Sequence, residues 1–109
     1  MLDFMEIFHT AAGIPVEDTA FKTEQCLPFA VFIDDSENDG DDYNSHFVAH
    51  NLTVEFYSEH IDKELEQSFE NCFETFGWKY RKTRVYLKDE RMYETIYTIK
   101  EFMERKESV

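Results

Sequence analysis

Apolar positions recur at two different periods along this chain, and the switches between them mark out the elements. Phe4, Met5, Phe8, Ala11 and Ala12 return at helical spacing, with Gly13 and Pro15 following as stop signals, so residues 2–12 are predicted to form a short helix. Residues 16–27 are mixed, with room for a short strand near Ala20–Thr23. Pro28-Phe29-Ala30-Val31-Phe32-Ile33 is a compact apolar run with the length and character of a strand. It stops at Asp34-Asp35-Ser36-Glu37-Asn38-Asp39-Gly40-Asp41-Asp42, where six acids in nine residues predict a solvated loop. Over 47–57, Val48, Leu52, Val54 and Phe56 alternate with Thr53, Glu55 and Tyr57, the clearest strand in the chain.

Over 59–76 the period changes to that of a helix. Ile61, Leu65, Phe69, Cys72, Phe73 and Phe76 form one apolar stripe at spacings of three and four. Glu59, Asp62, Glu64 and Glu66 crowd its start, as a helix dipole favours, and Gly77 suits the position just past its end. Two further strand-like runs, Trp78–Leu87 and Tyr93–Phe102, flank a hairpin connection at Lys88-Asp89-Glu90-Arg91, and Glu104–Val109 is expected to fray. The order α-β-β-α-β-β predicts an α+β fold: an antiparallel sheet of four to five strands with two helices packed on one face. Phe69, Phe73 and Phe76 are expected to pack on the sheet face that carries Val31, Leu52, Val54 and Phe56. A length of 109 residues fits one domain, 1–109.

Composition narrows the class. Aromatic residues make up 17%, which excludes disorder for most of the chain, and 3 Gly and 2 Pro exclude collagen-like or linker sequence. No apolar run approaches the ~20 residues of a membrane span. The first residues have no basic region or cleavage site, so no secretion is expected. Cys26 and Cys72 fit no metal spacing and read as reduced thiols of a cytosolic protein.

Net charge is −13, unevenly spread. Residues 1–78 hold 2 basic and 18 acidic residues, a net −16, whereas residues 79–109 hold 9 basic and 6 acidic ones, a net +3. An acidic body of this kind disfavours binding to nucleic acid or to an anionic membrane.

Several local patterns invite a chemical reading. Asp35, Glu37, Asp39 and Gly40 imitate the start of a calcium loop, but His46 stands at position twelve, where a bidentate Glu belongs, and strands rather than helices flank it. His46 and His50 are four apart, about 13 Å on a strand and too far for one metal, so the histidines are expected to be ordinary surface or packed residues. There is no G-x-S-x-G, P-loop, G-x-G-x-x-G or H-E-x-x-H. A Cys–His dyad stays open, although Cys72 lies on an apolar stripe. No catalytic residue, metal or cofactor is expected, and the chain does not read as an enzyme. Trp78 to Tyr86 interleaves aromatic and basic residues, a pattern that suits nucleic acid or simply a two-faced strand. The charge asymmetry favours a third reading. A basic hairpin of Lys79, Arg81, Lys82, Arg84, Lys88 and Arg91 on one subunit docks the acidic segment of the next, namely Asp34, Asp35, Glu37, Asp39, Asp41 and Asp42.

The arrangement resembles the tail-terminator or tail-completion proteins of siphophages and prophages. That family runs an N-terminal helix and a P-(F/Y)-x-V-(F/Y) strand before a polar loop. It continues with a Y-T-V-E-(L/F)-Y-(S/T)-E strand, an L-E-x-x-(F/I)-E helix and a hairpin built on E-x-x-x-Y-x-x-x-Y. Here the matching residues are Pro28-Phe29-Ala30-Val31-Phe32, then Leu52-Thr53-Val54-Glu55-Phe56-Tyr57-Ser58-Glu59. They continue with Asp62, Leu65, Glu66, Phe69 and Glu70, and end with Glu90-Arg91-Met92-Tyr93-Glu94-Thr95-Ile96-Tyr97. The resemblance covers roughly 28–102 and transfers no catalytic residue. It implies a homo-oligomeric ring, usually a hexamer, capping the tail tube and meeting the head connector. The expected location is the virion tail, or the bacterial cytoplasm during assembly. The acidic segment is richer in acid than the family pattern. The alternative is a small acidic inhibitor or DNA mimic that occupies the basic groove of a nucleic-acid-binding partner.

Overall fold

The computed structural model describes residues 2–39 and 47–105. In chain order the elements are α1 (Phe4–Ala12), β1 (Val16–Asp18), β2 (Phe29–Asp39), β3 (Phe47–Ser58), α2 (Lys63–Phe76), β4 (Tyr80–Leu87) and β5 (Met92–Arg105). The five strands form one sheet in the order β1-β2-β3-β5-β4, so the α+β prediction holds. Neither helix is long and apolar enough to cross a membrane.

Both helices begin and end on side-chain and glycine caps. Asp3 accepts the Glu6 N–H at 3.2 Å, and Asp62 accepts the Leu65 N–H at 3.0 Å. Gly13 and Gly77 end them in the left-handed region, at φ 68° and 74°. Asp62 therefore caps α2 from outside, and Glu59 and Ile61 lie before the helix rather than in it; Ile61 is exposed.

Two features of the sheet differ from the expectation. The extra strand is Val16–Asp18 rather than Ala20–Thr23, and it runs parallel to Ala30–Phe32, so the sheet is mixed. The Pro15 carbonyl takes the Ala30 N–H at 2.9 Å and the Thr19 N–H reaches the Phe32 carbonyl at 2.8 Å, which fixes this register. Residues 34–39 are not a loop. They continue β2, paired with β3 from Asp34↔Leu52 to Asp39↔Phe47. The partner stretch Phe47–Leu52 turns Val48, His50 and Leu52 into the fold, and backbone pairing to it outweighs the charge density that suggested a loop. The calcium-loop pattern continues into 40–46, outside the described residues.

The core lies between the helices and one sheet face. Phe4 and Phe8 from α1, Leu65, Phe69 and Phe73 from α2, and Phe32, Leu52, Val54, Phe56, Tyr97 and Ile99 from the sheet form a single cluster. Phe69 touches four of its rings, stacking on Phe56 at 5.4 Å and meeting Phe8, Phe73 and Tyr97 at 6.2 to 6.3 Å. Two expected members lie elsewhere. Val31 is opposite Glu55 on the other sheet face, because Ala30 and Phe32 are the inward residues of β2. Phe76 is 42% exposed and stacks on Trp78 at 4.6 Å, at the rim.

Among the described residues, the other face carries no helix. Val31, Ile33, Thr53, Glu55, Tyr57, Thr83, Val85, Ile96 and Thr98 line it by register. Beyond Leu52/Ile99 a bulge sets Lys100 and Glu101 against Asn51, and His50 then pairs with Phe102. The bulge restores the helix-side direction of Phe102.

Candidate functional site

The basic hairpin divides into two halves. On β4, alternate residues face opposite sides of the sheet, so Tyr80, Lys82 and Arg84 share the helix side with Tyr97 and Thr95. There α2 presents Glu66 and Glu70, one turn apart. Lys82 Nζ lies 2.6 Å from Glu66 Oε1 and 2.8 Å from Glu70 Oε2. Arg84 grips Glu66 with Nε at 2.9 Å and Nη2 at 2.7 Å. Tyr97 donates to Glu70 at 2.8 Å and to the Glu66 carbonyl at 3.3 Å, and Tyr80 donates to Glu70 at 3.3 Å.

Glu66 is only 2% exposed. Burial alone raises its pKa, and hydrogen bonds and charge from Lys82 and Arg84 outweigh that, so the carboxyl is held below its ordinary value. Glu70 follows the same pattern through Lys82 and the two tyrosines. Lys82 moves the opposite way: burial lowers it, but the two carboxylates prevail and raise it. Lys82 and Arg84 are therefore committed within the subunit. Lys79, Arg81, Lys88 and Arg91 stay exposed, Arg81 on the helix-free face, while Lys88 and Arg91 bound the β4–β5 turn. Arg91 sits in the left-handed region at φ 54°.

The acidic segment divides similarly. Asp34, on the helix side, meets buried His50 at 2.9 Å from Nδ1, and Glu104 meets the other ring nitrogen, Nε2, at 2.7 Å. The ring thus spans the two carboxyl groups, one at each nitrogen. Phe4 and Phe102 enclose the ring, at 5.3 and 5.0 Å, and Glu104 also accepts the Leu2 N–H at 2.6 Å. The cluster ties α1, β2, β3 and β5 together. His50 is a packed histidine, as its strand position suggested. Asp35 is exposed on the helix-free face. Glu37 and Asp39 fall on the β2 backbone, and Asp41 and Asp42 lie outside the described residues.

The helix-free face holds a third cluster, which the sequence reading did not single out. Tyr57 donates to Glu94 at 2.9 Å and to Glu55 at 3.1 Å, across β3 and β5. Burial and the nearby Glu94 raise the Glu55 pKa, while its bond to Tyr57 partly opposes them. Burial and both carboxylates push the phenol upward too, so it stays protonated and donates. Phe29 packs on Tyr57 at 5.0 Å, and Phe21 packs edge-on against Phe29 at 5.5 Å. The trio acts as a clamp across strands, its polar atoms directed at one another.

Both cysteines are free. Cys72 is buried, which pushes its thiol up and makes it a poor nucleophile. Among the described residues, no group of three or more His, Cys, Asp or Glu could hold a metal ion.

The sequence reading missed Glu66, Glu70 and Glu104 as partners. The first two carried a signal: acids at i and i+4 on α2 precede a strand with Lys82 and Arg84 at i and i+2, so the two sets meet once α2 folds back over β4.

No family model matches the chain, and no curated protein matches it. Among solved structures, the fold is shared with a chain of one described as "Virion of native gene transfer agent (GTA) particle". The TM-score is 0.55 with 8% sequence identity, over 84% of this chain and 80% of that one. At that identity the likeness is one of fold.

Proposed function

We propose that this chain is a structural protein of a phage-like virion, of the tail-terminator type. In this reading it acts by ring assembly at the end of the tail tube near the head–tail junction. Its partners are copies of itself, the tube and the connector, and it resides in the host cytoplasm before joining the particle. The observation that carries the reading is the fold shared with a virion chain over four-fifths of both lengths. The short motifs in 28–102 point the same way. Charge separation supports assembly. Arg81 and Lys79 stay exposed at the β4 edge, and Asp35 stays exposed at the β2 side. A DNA mimic needs its carboxylates spread over the surface at phosphate-like spacing. Here Glu66 and Glu70 are neutralised by Lys82 and Arg84, and Asp34 and Glu104 face His50, so four acids are withdrawn from any such surface.

The test is to purify particles from an induced culture encoding the chain and label the protein with a specific antibody. Label at one end of the tail is the expected result. Absence from particles, or co-purification with a nuclease instead, overturns the reading.

A further inference from the structure

The two sides of the sheet end in unequal ways. β1 covers β2 only along Ala30–Phe32, so among the described residues the stretch 33–39 has no strand on its outer side. At the opposite side β4 is the last strand along its whole length among the described residues. Backbone direction follows from bonds already made. Ala30 and Phe32 bond outward, to Pro15 and Thr19, so by alternation Asp34 and Ser36 also turn their N–H and C=O groups outward. Lys79 bonds inward, to Lys100, so Lys82 and Arg84 turn theirs outward.

Proteins usually blunt an exposed edge with proline, a bulge or free charge. Neither edge here has the first two: β4 pairs with β5 from Tyr80 to Leu87 without a register shift, and β2 pairs with β3 from Phe29 to Asp39 likewise. On β4 the two basic residues whose backbone groups turn outward, Lys82 and Arg84, are not free, which leaves Arg81 on the helix-free face. Glu66 and Glu70 hold Lys82 and Arg84 against α2, clear of the strand edge.

We infer that subunits join by β-strand addition, residues 33–39 of one copy pairing with β4 of the next. The partner is a second copy of this chain, and the inference rests on the assembly reading above. Within one subunit β2 and β4 run in opposite directions. A neighbour related by rotation about an axis along the strands therefore brings the two edges together antiparallel. Both helix layers then lie on the same side, and the contact is heterologous, as a ring requires. Charge is complementary. Beyond Asp34, which meets His50 on the helix side, the β2 stretch carries Asp35, Glu37 and Asp39 in sequence, and β4 carries Arg81. Asp35 and Arg81 both lie on the helix-free face, next to the edges that meet.

The test is cysteine cross-linking in a Cys26→Ser background of the full chain. Asp35→Cys is combined in turn with Arg81→Cys, Thr83→Cys or Val85→Cys, covering neighbouring registers on one face. Within a subunit these positions are three strand spacings apart, about 14 Å, whereas a disulfide needs Cα atoms within about 7 Å. Any bond formed therefore joins two copies. The expected result is an oxidation-dependent ladder for at least one pair, with each variant that carries one introduced cysteine beside buried Cys72 giving dimers at most. Ser36→Pro, which deletes one outward N–H and leaves the β2–β3 ladder intact, should reduce the ladder at least tenfold with an unchanged melting curve. No ladder from any pair, either in concentrated protein or in particles that contain it, overturns strand addition. The virion reading fails separately, if the chain forms the ladder yet is absent from particles.

Discussion

At the residue scale the decisive contrast is between Arg81 and Arg84, two residues of the same type on one strand. Arg84 is bonded to a carboxylate that is 3% exposed as a side chain, while Arg81 projects from the helix-free face. Reversing charge at both positions looks like a clean test of docking in the sequence alone. The structure limits that test to Arg81. Arg84→Glu sets a second carboxylate against Glu66 and should cost about 2–4 kcal/mol in urea melts, the lower part of the range reflecting partly exposed cations. Arg81→Glu should stay within about 0.5 kcal/mol of the parent. The same network sets a pH window. Glu66 and Glu70 are depressed in the fold, so their contribution is present above the ordinary 4.5 and is lost as pH falls through their lowered values. Lys82 is raised, so its contribution is complete below 10.5 and is lost as pH rises through its folded value. Glu55 has the opposite sign. Its raised pKa means that ionisation disfavours the fold, so Glu55→Gln should raise the melting temperature at pH 7 and lose that gain in acid. A Glu55→Gln variant that melts lower at pH 7 would show the clamp with Tyr57 to outweigh carboxylate repulsion.

At the element scale, α2 is the piece on which the core depends. Phe69 is fully buried among four rings, and Phe69→Ala should destabilise by about 3–5 kcal/mol. Phe76→Ala, at the exposed rim, should cost under about 1 kcal/mol, and similar losses at both positions would contradict the packing described. This pair also shows how far the sequence could be read. Helical period placed both residues on one stripe, but the stripe cannot tell where the sheet ends beneath it. The helix ends were legible because they depend on neighbours in sequence, and Gly13 and Gly77 both ended their helices; the starts were not, since the caps Asp3 and Asp62 fell inside the helices the apolar period predicted. The face of β2 was not legible, since Phe29 to Ile33 is apolar on both sides and offers no alternation. The strand nature of 34–39 was hidden for a related reason. Its pairing partner is Phe47–Leu52, and cross-strand pairing is non-local information that charge density in a window does not contain. The Glu66–Lys82–Arg84 network was half visible, as spacing on two elements whose contact depends on the fold.

At the scale of the whole molecule, the proposed assembly has to bring together copies of a chain of net −13. Like charge distributed over each subunit opposes assembly at low ionic strength, and that long-range term is screened over about 10 Å at 0.1 M salt. The inferred contact, made of backbone hydrogen bonds, is insensitive to that sign and would supply the cohesion, while side chains beside it would set the register. Each subunit presents both halves of the contact, an acidic β2 stretch and β4 with Arg81. A charge swap can therefore be made within one chain and be felt at every interface. Arg81→Glu replaces an attraction by a repulsion across the edges. Exposed pairs contribute about 0.2–1 kcal/mol, so a sign reversal near 1 kcal/mol should raise the concentration for half-assembly about fivefold. Asp35→Lys should do the same by the mirror-image change. The double variant carries both substitutions, so opposite charges again face each other across the edges, with their signs exchanged. It should return to within about twofold of the parent. Sedimentation equilibrium at fixed ionic strength measures all three. Additive weakening in the double variant would mean that Asp35 and Arg81 do not meet, and the antiparallel docking of β2 on β4 would then be wrong even if the ring forms by other surfaces.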